Sequence, residues 1–372
     1  MQNIRVLTTL LFTLLVTVKT FAQTPLSPQA EISLLTCGPG KELYSVFGHT
    51  AIRVFDPSNR FDVVYNFGTF DFDTPNFYPK FVKGDLQYFA SASSYEDFVY
   101  TYQYYNRDVF SQELNLNHQQ KQAIADELAA ILGSDKRFYT YKFIHRNCTT
   151  MVADIINKYL PEKISLKNSD SGMTYREIIH KRLDGMFIED LGINIAFGAP
   201  TDKTSEKLFL PDELLQGVNN TTTASGPLAK STETVFKATI EKQSFSFNSI
   251  YVFTALCLLL LPLAGKELFQ RSFLAIFGIL GIFLTFLGMY SLHTELIYNY
   301  NALLFNPLFL ILLYFIFSNK QKAIIITSYT CLALLGLYTL LTLNKPHLIS
   351  LLPLIALSAI TLTRIILRAK KN

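Results

Sequence analysis

Long apolar segments fill the C-terminal third of the chain, and they limit the possible fold more than any other feature of the sequence. Each has close to the roughly 20 residues that a helix needs to cross the hydrocarbon core of a membrane. Lipid cannot satisfy exposed backbone groups, so such segments fold as helices. The sequence predicts an all-α bundle of five membrane-spanning helices over residues 247–372, at about 247–264, 272–292, 302–318, 323–343 and 348–367.

Basic residues are distributed unevenly among the loops that join these segments. The loops on one side, together with the C-terminal tail, contain Lys266, Arg271, Lys320, Lys322, Arg368, Lys370 and Lys371. The loops on the other side contain only Lys345. Because Lys and Arg are enriched in cytoplasmic loops, the pattern predicts a cytoplasmic C-terminus and an exported N-terminal half. This fringe accounts for much of the basic excess in the net charge of +4, which therefore indicates no nucleic-acid partner.

The N-terminus has the pattern of a secretory signal. Arg5 provides a positive start, residues 6–18 are apolar, and Thr20-Phe21-Ala22 provides a small-residue cleavage site. The apolar run is short for crossing a membrane. We therefore predict a cleaved signal peptide over 1–22 rather than an uncleaved anchor helix, which agrees with the orientation predicted from the basic loops.

We predict that residues 23–246 form an exported, periplasmic domain of the α+β class, which is large enough to bury its own core. Alternating apolar and polar residues predict strands, and a period of three to four residues predicts helices. The predicted strands are 31–36, 50–55, 62–68 and 108–116, and the predicted helices include 117–132, 175–183 and 211–216. Residues 219–234 are rich in Thr, Ser, Asn and Gly and predict a linker.

A cysteine lies at the predicted start of a further helix, in the sequence HRNCTT that begins at His145. Apolar residues over 151–159 follow the helical period, Pro161 ends the helix, and Asn147 occupies the N-cap position. Cys148 then lies in the first turn, where the helix dipole favours a thiolate. Cysteine nucleophiles are presented in this way in papain-like enzymes. The alternative is a buried structural cysteine.

A histidine on a predicted strand is the candidate partner of this cysteine. His49 directly follows a glycine at the start of its strand, where it can face a helix start, and a Cys148–His49 pair would form a thiolate–imidazole couple. A third group should orient the imidazole. On the next strand, Asn66, Tyr65 and Asp71 are the polar candidates, and Asn66 could accept the ring N–H through its amide oxygen.

Three segments resemble the exported domain of Lnb-type bacterial lipoprotein N-acyltransferases. They are FGHTAIR at 47–53, VYNFGTFDF at 64–72 and NCTT at 147–150. The order of His before Cys is also similar to permuted papain-like proteins such as lecithin:retinol acyltransferase. That enzyme has an Asn-Cys-Glu-His-Phe motif. The present chain keeps the Asn-Cys pair, but Thr149 and Thr150 stand at the positions of Glu and His. The resemblance implies a permuted papain-like (NlpC/P60-like) fold for the exported domain.

The resemblance also implies a reaction. An acyl chain would move from a membrane glycerophospholipid to Cys148 as a thioester, and from there to the α-amine of a diacylglyceryl-cysteine lipoprotein. Cys148, His49 and Asn66 are the predicted catalytic residues, with backbone N–H groups at the helix start as the oxyanion hole. The predicted protein is thus a multi-pass enzyme of the bacterial inner membrane that uses no metal and no cofactor.

Polar residues at the predicted outer membrane surface suggest a substrate site below the thiol. His293, Asn299 and Asn301 lie in the loop between the second and third spans, and Asn306 lies slightly deeper. Burying such polar side chains near the hydrocarbon costs free energy, so a dense group of them indicates a function. An ordinary solvated loop is the alternative. The further predicted substrate contacts, nearer the thiol, are Tyr65, Asp71, His145, Asn147 and Thr149.

Two other functions fit parts of the sequence. One is a membrane-anchored cysteine peptidase or hydrolase of the cell envelope, although such an enzyme needs only one anchor. The other is a non-enzymatic receptor in which Cys37 and Cys148, the cysteines of the exported domain, form a disulfide in the oxidising space. Lys80, Lys83 and Arg107 could hold a phosphate, but such residues are more often simply solvated.

Overall fold

The computed structural model describes residues 25–239 and 246–371 and contains a sheet domain followed by a bundle of apolar helices. The predicted signal peptide, residues 1–22, lies outside the described residues. The sheet domain is mixed α/β, as the sequence predicts for the exported part of the chain. The papain-like topology expected from the resemblance stays a prediction.

Seven antiparallel strands of the described residues form the main sheet. They are β1 (Glu31–Cys37), β2 (His49–Asp56), β3 (Phe61–Thr69), β4 (Gln87–Ser94), β5 (Val109–Leu114), β6 (Phe138–Thr140) and β9 (Ala229–Phe236). Their order across the sheet is β6-β4-β3-β2-β1-β5-β9. Two short strands, β7 (Thr222–Thr223) and β8 (Gly226–Pro227), form a separate hairpin. The four predicted strands correspond to β1, β2, β3 and β5.

The predicted linker over 219–234 is wrong for its second half. Residues 229–236 form strand β9, which pairs with β5 at the edge of the sheet. Most of its side chains are exposed, because it is an edge strand with little packed against it. Exposed edge positions tolerate the Lys, Ser and Thr residues that made the segment look like a linker.

Within residues 25–239, seven α-helices accompany the sheet. They are α1 (Phe77–Lys83), α2 (Tyr95–Tyr104), α3 (His118–Leu132), α4 (Cys148–Tyr159), α5 (Tyr175–Arg182), α6 (Phe187–Ala196) and α7 (Pro211–Asn219). Helices α3 and α4 pack on one face of the sheet through a core that includes Ile52, Phe67 and Ile156. Helix α2 covers the other face, where Leu35, Ala51 and other residues are buried. The alternation of side chains along the strands thus separates two cores.

The helical bundle contains α8 (Ile250–Leu260), α9 (Glu267–Tyr290), α10 (Leu308–Phe317), α11 (Gln321–Thr342) and α12 (Leu348–Lys371). Four of the predicted spans are confirmed as apolar helical stretches long enough to cross a membrane, at 267–290, 294–317, 321–342 and 348–371. The first predicted span is shorter in the structure, an apolar helix over 250–265. Its α-helical part ends at Leu260, and a proline-containing 3-10 turn follows. Five full spans are therefore not confirmed.

The loop between α9 and α10 joins the bundle to the sheet domain. The backbone N–H of Gly198 donates to the Glu295 carbonyl at 2.7 Å, and the N–H of Ile144 donates to the buried Glu295 carboxylate at 3.0 Å. Lys142 donates to the carbonyl of Leu292 at 2.8 Å. These contacts fix the segment before α4 on the outer end of the bundle.

The contacts between the loop after α9 and the sheet domain, called the joint from here on, lie at one end of the sheet. Strand β1 ends at Cys37, which pairs with His49 at the start of β2. Strands β4 and β6 bring Gln87 and Thr140 to the same end, next to the segment that contacts the bundle. The sheet therefore presents the start of β2 toward the membrane side of the domain, where α4 also begins.

Candidate active site

The start of α4 is fixed by the Asn147 side chain. Its Oδ1 accepts from the N–H of Thr150 at 2.9 Å, and the Thr150 hydroxyl accepts from the N–H of Asn147. The Nδ2 group donates to the carbonyls of Phe143 at 2.7 Å and Phe209 at 2.8 Å. Asn147 was predicted as a substrate contact, but its side chain is buried and its amide is engaged within the fold. It sets the position of Cys148.

Replacing Asn147 by alanine is expected to lower the free energy of unfolding by about 2–3 kcal/mol, because the cap is lost and two buried carbonyls lose their donor. The measurement is thermal unfolding in detergent, together with the alkylation rate of Cys148. The control is Thr174→Ala, which removes the N-cap of α5. That change should cost about 1 kcal/mol and leave the thiol unaffected. Equal losses in both variants would contradict the proposed anchoring role.

The Cys148 thiol is half-buried in the first turn of α4. Burial by itself raises the pKa of this thiol, but the His49 imidazole opposes it through charge and a hydrogen bond. The N–H of Thr50 and the hydroxyl of Thr149 add to the opposing effect, and the pKa of Cys148 falls below its ordinary value of 9.0. A nucleophilic thiolate is thus favoured beside an imidazole.

This direction predicts the pH dependence of alkylation. A lowered thiol pKa means that the thiolate is present below pH 9 and is lost as the pH falls through the lowered pKa, so the iodoacetamide rate should have a midpoint below 9. In contrast, burial raises the pKa of the Cys37 thiol. Cys37→Ser should therefore leave the profile unchanged. A midpoint at or above 9 in both proteins would contradict the assignment.

His49 is held in a defined orientation. Its Nε2 lies 3.2 Å from the Oδ1 of Asn66, whose own amide group donates to the Val64 carbonyl. The imidazole also stacks on Tyr102, with ring centroids 6.4 Å apart and planes 12° apart. When Nε2–H donates to Asn66, Nδ1 is left as the acceptor for a proton. The structure therefore brings together the three residues predicted as catalytic.

The glycine before His49 is required by its backbone. Gly48 has φ of +85°, and a Cβ at this position would lie 2.4 Å from the carbonyl oxygen of Cys37. Only glycine combines this conformation with so close an approach. The turn into β2, and with it the placement of His49, depends on this residue.

The open end of α4 provides backbone donors. The first four N–H groups of a helix have no acceptor within it. Here the N–H of Thr150 is bonded to the Asn147 side chain, while those of Cys148 and Thr149 remain at the end of the helix. The hydroxyl of Thr149 lies 3.1 Å from that of Thr50 and 3.9 Å from Cys148 Sγ. The Thr149 side chain is buried, so the backbone N–H groups of Cys148 and Thr149 are the donors that this end of the helix leaves open.

Three other predicted substrate contacts lie apart from this triad. Tyr65 is buried in the core under α4. The exposed Asp71 accepts from the N–H of Asp73 in a turn. The exposed His145 lies edge-on to Tyr175, at 6.3 Å between ring centroids. No hydrogen bond connects any of the three with Cys148 or His49 in the part of the chain that the structure describes.

Three of the four predicted contacts near the outer membrane surface take part in the joint, and the fourth, Asn306, bonds within the bundle. Asn299 donates to the carbonyls of Ile195 and Ala196, and the fully buried Asn301 donates to those of Asn194 and Ile195. They thus bond the carbonyls that α6 exposes at its C-terminal end. Asn306 accepts from Leu308 at the start of α10, and His293 lies against the Phe81 carbonyl.

Two residues near the thiol were not predicted as site residues from the sequence. The N–H of Thr50 supports the thiolate. Gly68 has φ of +92° at an irregularity of β3, and its position faces the Cβ of Cys148. A glycine within a strand often indicates a bulge or a close approach, and this was the available signal.

The predicted alternative of a Cys37–Cys148 disulfide is not supported. Over the described residues all four cysteines are free. Cys37 is buried between the sheet and α2, next to His49 in the β1–β2 ladder. The receptor hypothesis therefore loses the disulfide on which it depended.

The fold and site define a class of protein: an α/β domain bonded to a bundle of long apolar helices, with a thiol at the end of the central strands that lies toward the bundle. The family is given by comparison. Residues 19–181 match the model of the Lnb N-terminal periplasmic domain, so the resemblance noted in the sequence is confirmed over this segment. No curated protein and no solved structure matches the chain. Together with the four long apolar helices, the match fits an inner-membrane protein with a periplasmic domain.

Proposed function

We propose that the protein is a lipoprotein N-acyltransferase with a Cys–His thiol mechanism. The observation that most supports this is the Cys148 thiol, whose pKa is lowered by His49, in an Lnb-type domain bonded to a membrane bundle. A thiolate held next to the bilayer is suited to attack an ester of a membrane lipid. No nucleic acid and no cofactor takes part in the proposed reaction.

In the first step, the Cys148 thiolate attacks an ester carbonyl of a glycerophospholipid. The S–C bond forms and the ester C–O bond breaks, with the oxyanion bound by the N–H groups of Cys148 and Thr149. The His49 imidazolium gives its proton to the departing alkoxide. The products are an acyl-Cys148 thioester and a lysophospholipid.

In the second step, the α-amine of a diacylglyceryl-cysteine lipoprotein attacks the thioester. The N–C bond forms, the S–C bond breaks, and His49 accepts the proton that the amine loses. The thiolate of Cys148 is regenerated and the lipoprotein becomes triacylated. Asn66 keeps the imidazole oriented in both steps, through its contact with Nε2.

The amide-forming step competes with hydrolysis by water. The start of α4 lies at the end of the domain that is bonded to the bundle through Ile144 and Glu295. A bilayer beside this end would reduce access of water to the thioester. His145 and Asp71, whose side chains are exposed, stay as candidates for contacts with the acceptor peptide.

The orientation in the membrane is also part of the proposal. The basic side chains of the predicted cytoplasmic fringe lie at the ends of the helices that are remote from the joint, as the contact of Arg368 with the Gly265 carbonyl illustrates. With the sheet domain in the periplasm, this fringe and the C-terminus would lie in the cytoplasm.

The test is the intact mass of the purified protein in phospholipid nanodiscs, before and after hydroxylamine. We expect a mass gain of one acyl chain that is sensitive to hydroxylamine and maps to the peptide containing Cys148. Adding a diacylated lipopeptide should remove the adduct and acylate the peptide amine. Release of free fatty acid without transfer would instead indicate the alternative, a hydrolase or peptidase. An adduct on Cys37 would contradict the assignment of the nucleophile.

A further inference from the structure

Helix α1 has an unusually apolar surface for a segment outside the bundle. All seven of its residues, Phe77–Lys83, remain at least partly exposed, and they include three aromatic side chains. The exposed fraction is 72% for Tyr78, 46% for Phe81 and 60% for the preceding Phe72. Apolar side chains grouped in this way on a surface indicate a contact with another apolar phase or partner.

The structure fixes this surface next to the outer end of a membrane span. Helix α9 ends at Tyr290, and the Ser291 hydroxyl donates to the Val82 carbonyl at 2.8 Å. The N–H of Leu292 donates to the Lys83 carbonyl at 2.7 Å. The C-terminal end of α1 therefore lies at the level where α9 leaves the hydrocarbon core of the membrane.

A tight backbone contact secures this position. Gly84 ends α1 with φ of +75°, and a Cβ there would lie 2.8 Å from the ring of His293. The Nε2 of that ring lies 3.1 Å from the Phe81 carbonyl. Helix α1 is thus bonded to the bundle through its backbone, while the side chains of Tyr78 and Phe81 stay exposed.

An aromatic row leads from this surface to the candidate active site. Ring centroids are 6.4 Å apart for Phe81 and Phe77, 5.9 Å for Phe77 and Phe70, and 5.2 Å for Phe70 and Tyr88. Tyr88 stacks on Tyr141 at 4.5 Å. Phe70, Phe77, Tyr141 and Cys148 all pack against the same buried core under α4. The row therefore connects α1 with the core against which Cys148 also packs.

The position of α1 favours a bilayer over a protein partner. Lys80 and Lys83 lie on the helix among the aromatic residues, Lys83 pairs with Asp85 at 2.5 Å, and the exposed Asp71 and Asp73 flank Phe72. Aromatic and basic residues together are typical of the membrane–water interface. Because α1 is bonded to the end of α9, the phase that covers its apolar side chains is the bilayer that α9 crosses.

We infer that α1, together with Phe72, inserts into the outer surface of this bilayer and guides an acyl chain of a phospholipid from this surface toward Cys148. The insertion stands on the geometry alone. The guiding role rests on the proposed function, because it requires that Cys148 accept an acyl chain.

The insertion can be measured directly because the chain contains no tryptophan. A single reporter, Tyr78→Trp, is placed in nanodiscs that contain brominated phospholipid. Phe61→Trp is the matched control, since Phe61 is exposed at the opposite end of β3, about 25 Å from its membrane-side end. We expect the emission at position 78 to fall by about half or more, as for a side chain several Å inside the interface, and the control to be unaffected. Equal quenching at both positions, or none at 78, would overturn the inference.

The guiding role is tested with Phe72→Glu/Tyr78→Glu against Phe61→Glu. We expect thioester formation from nanodisc phospholipid to fall about tenfold or more in the double variant only. The burst with a soluble short-chain p-nitrophenyl ester should stay unchanged in both. A fall in both reactions would indicate damage to the site and overturn the guiding role, as would no fall in either. If the wild type forms no thioester with any phospholipid, the proposed function fails and the guiding role fails with it, while the quenching result still decides the insertion.

Discussion

Alanine in place of Cys148 is expected to abolish the acyl adduct and to lower acyl transfer by roughly 10³-fold or more, because both proposed steps pass through the thioester. The thiol is the group that the site is arranged around: the pKa of Cys148 is lowered by His49, and the start of its helix is fixed by Asn147. The remaining backbone donors cannot replace a nucleophile. The measurement is single-turnover transfer to a diacylated lipopeptide in nanodiscs.

Two further variants serve as comparisons for Cys148→Ala. Cys37→Ser should retain transfer, because Cys37 is buried and its pKa is raised by burial. His49→Gln should lower transfer by about 10²- to 10⁴-fold, the usual range for loss of a general acid–base group. In that variant, burial of Cys148 acts without its opposing charge, so the alkylation midpoint should rise. Transfer that survives in Cys148→Ala would exclude the thioester mechanism.

Replacing Arg176 by methionine is expected to lower the free energy of unfolding by about 3–5 kcal/mol. This is the usual cost of removing one partner of a buried ion pair, because the other partner is left as a buried charge. Arg176 is only 2% exposed. Its guanidinium donates to Asp202 at 2.7 Å and to the carbonyls of Phe197 and Gly198 at 3.0 Å. Without it, Asp202 keeps its ion pair with Lys345, a residue of the bundle, at 3.2 Å. The change therefore weakens the sheet domain at the joint.

The matched control is Lys158→Met, which breaks a salt bridge to Glu127 that is open to solvent. Such pairs contribute about 0–1 kcal/mol. Thermal unfolding in detergent compares the two variants, and limited proteolysis between α5 and α7 reports on the joint. Similar small losses in both variants would show that the buried cluster does not stabilise the joint.

The local features of the site were predictable because they depend on neighbours in sequence. Asn147 and the apolar period after it predict a capped helix, and the cap places Cys148 in its first turn. The pair of strands with His49 and Asn66 was predicted from alternation, and their antiparallel pairing puts Ala51 opposite Asn66. His49 is two residues from Ala51 on the same face, so its contact with Asn66 follows from the register.

Other features depended on partners far away in the chain. The asparagines at 299 and 301 resemble a ligand site in sequence, but in the structure they bond carbonyls at the end of α6, about a hundred residues earlier. The predicted linker became β9 because β5 provided an edge for it. Composition alone does not distinguish a polar residue that binds substrate from one that satisfies a distant backbone group.

The sequence by itself determined the apolar helices and the mixed α/β character of the domain before them. It also pointed to Cys148, His49 and Asn66 as the candidate catalytic residues. These features follow from periodicity, capping and strand alternation, which are local properties of the chain. Only the tertiary structure decided that Cys37 is a free thiol, that the loop after α9 is a joint, and that α1 lies beside the outer end of that helix. These three outcomes depend on hydrogen bonds and packing between segments distant in sequence, which no local pattern specifies.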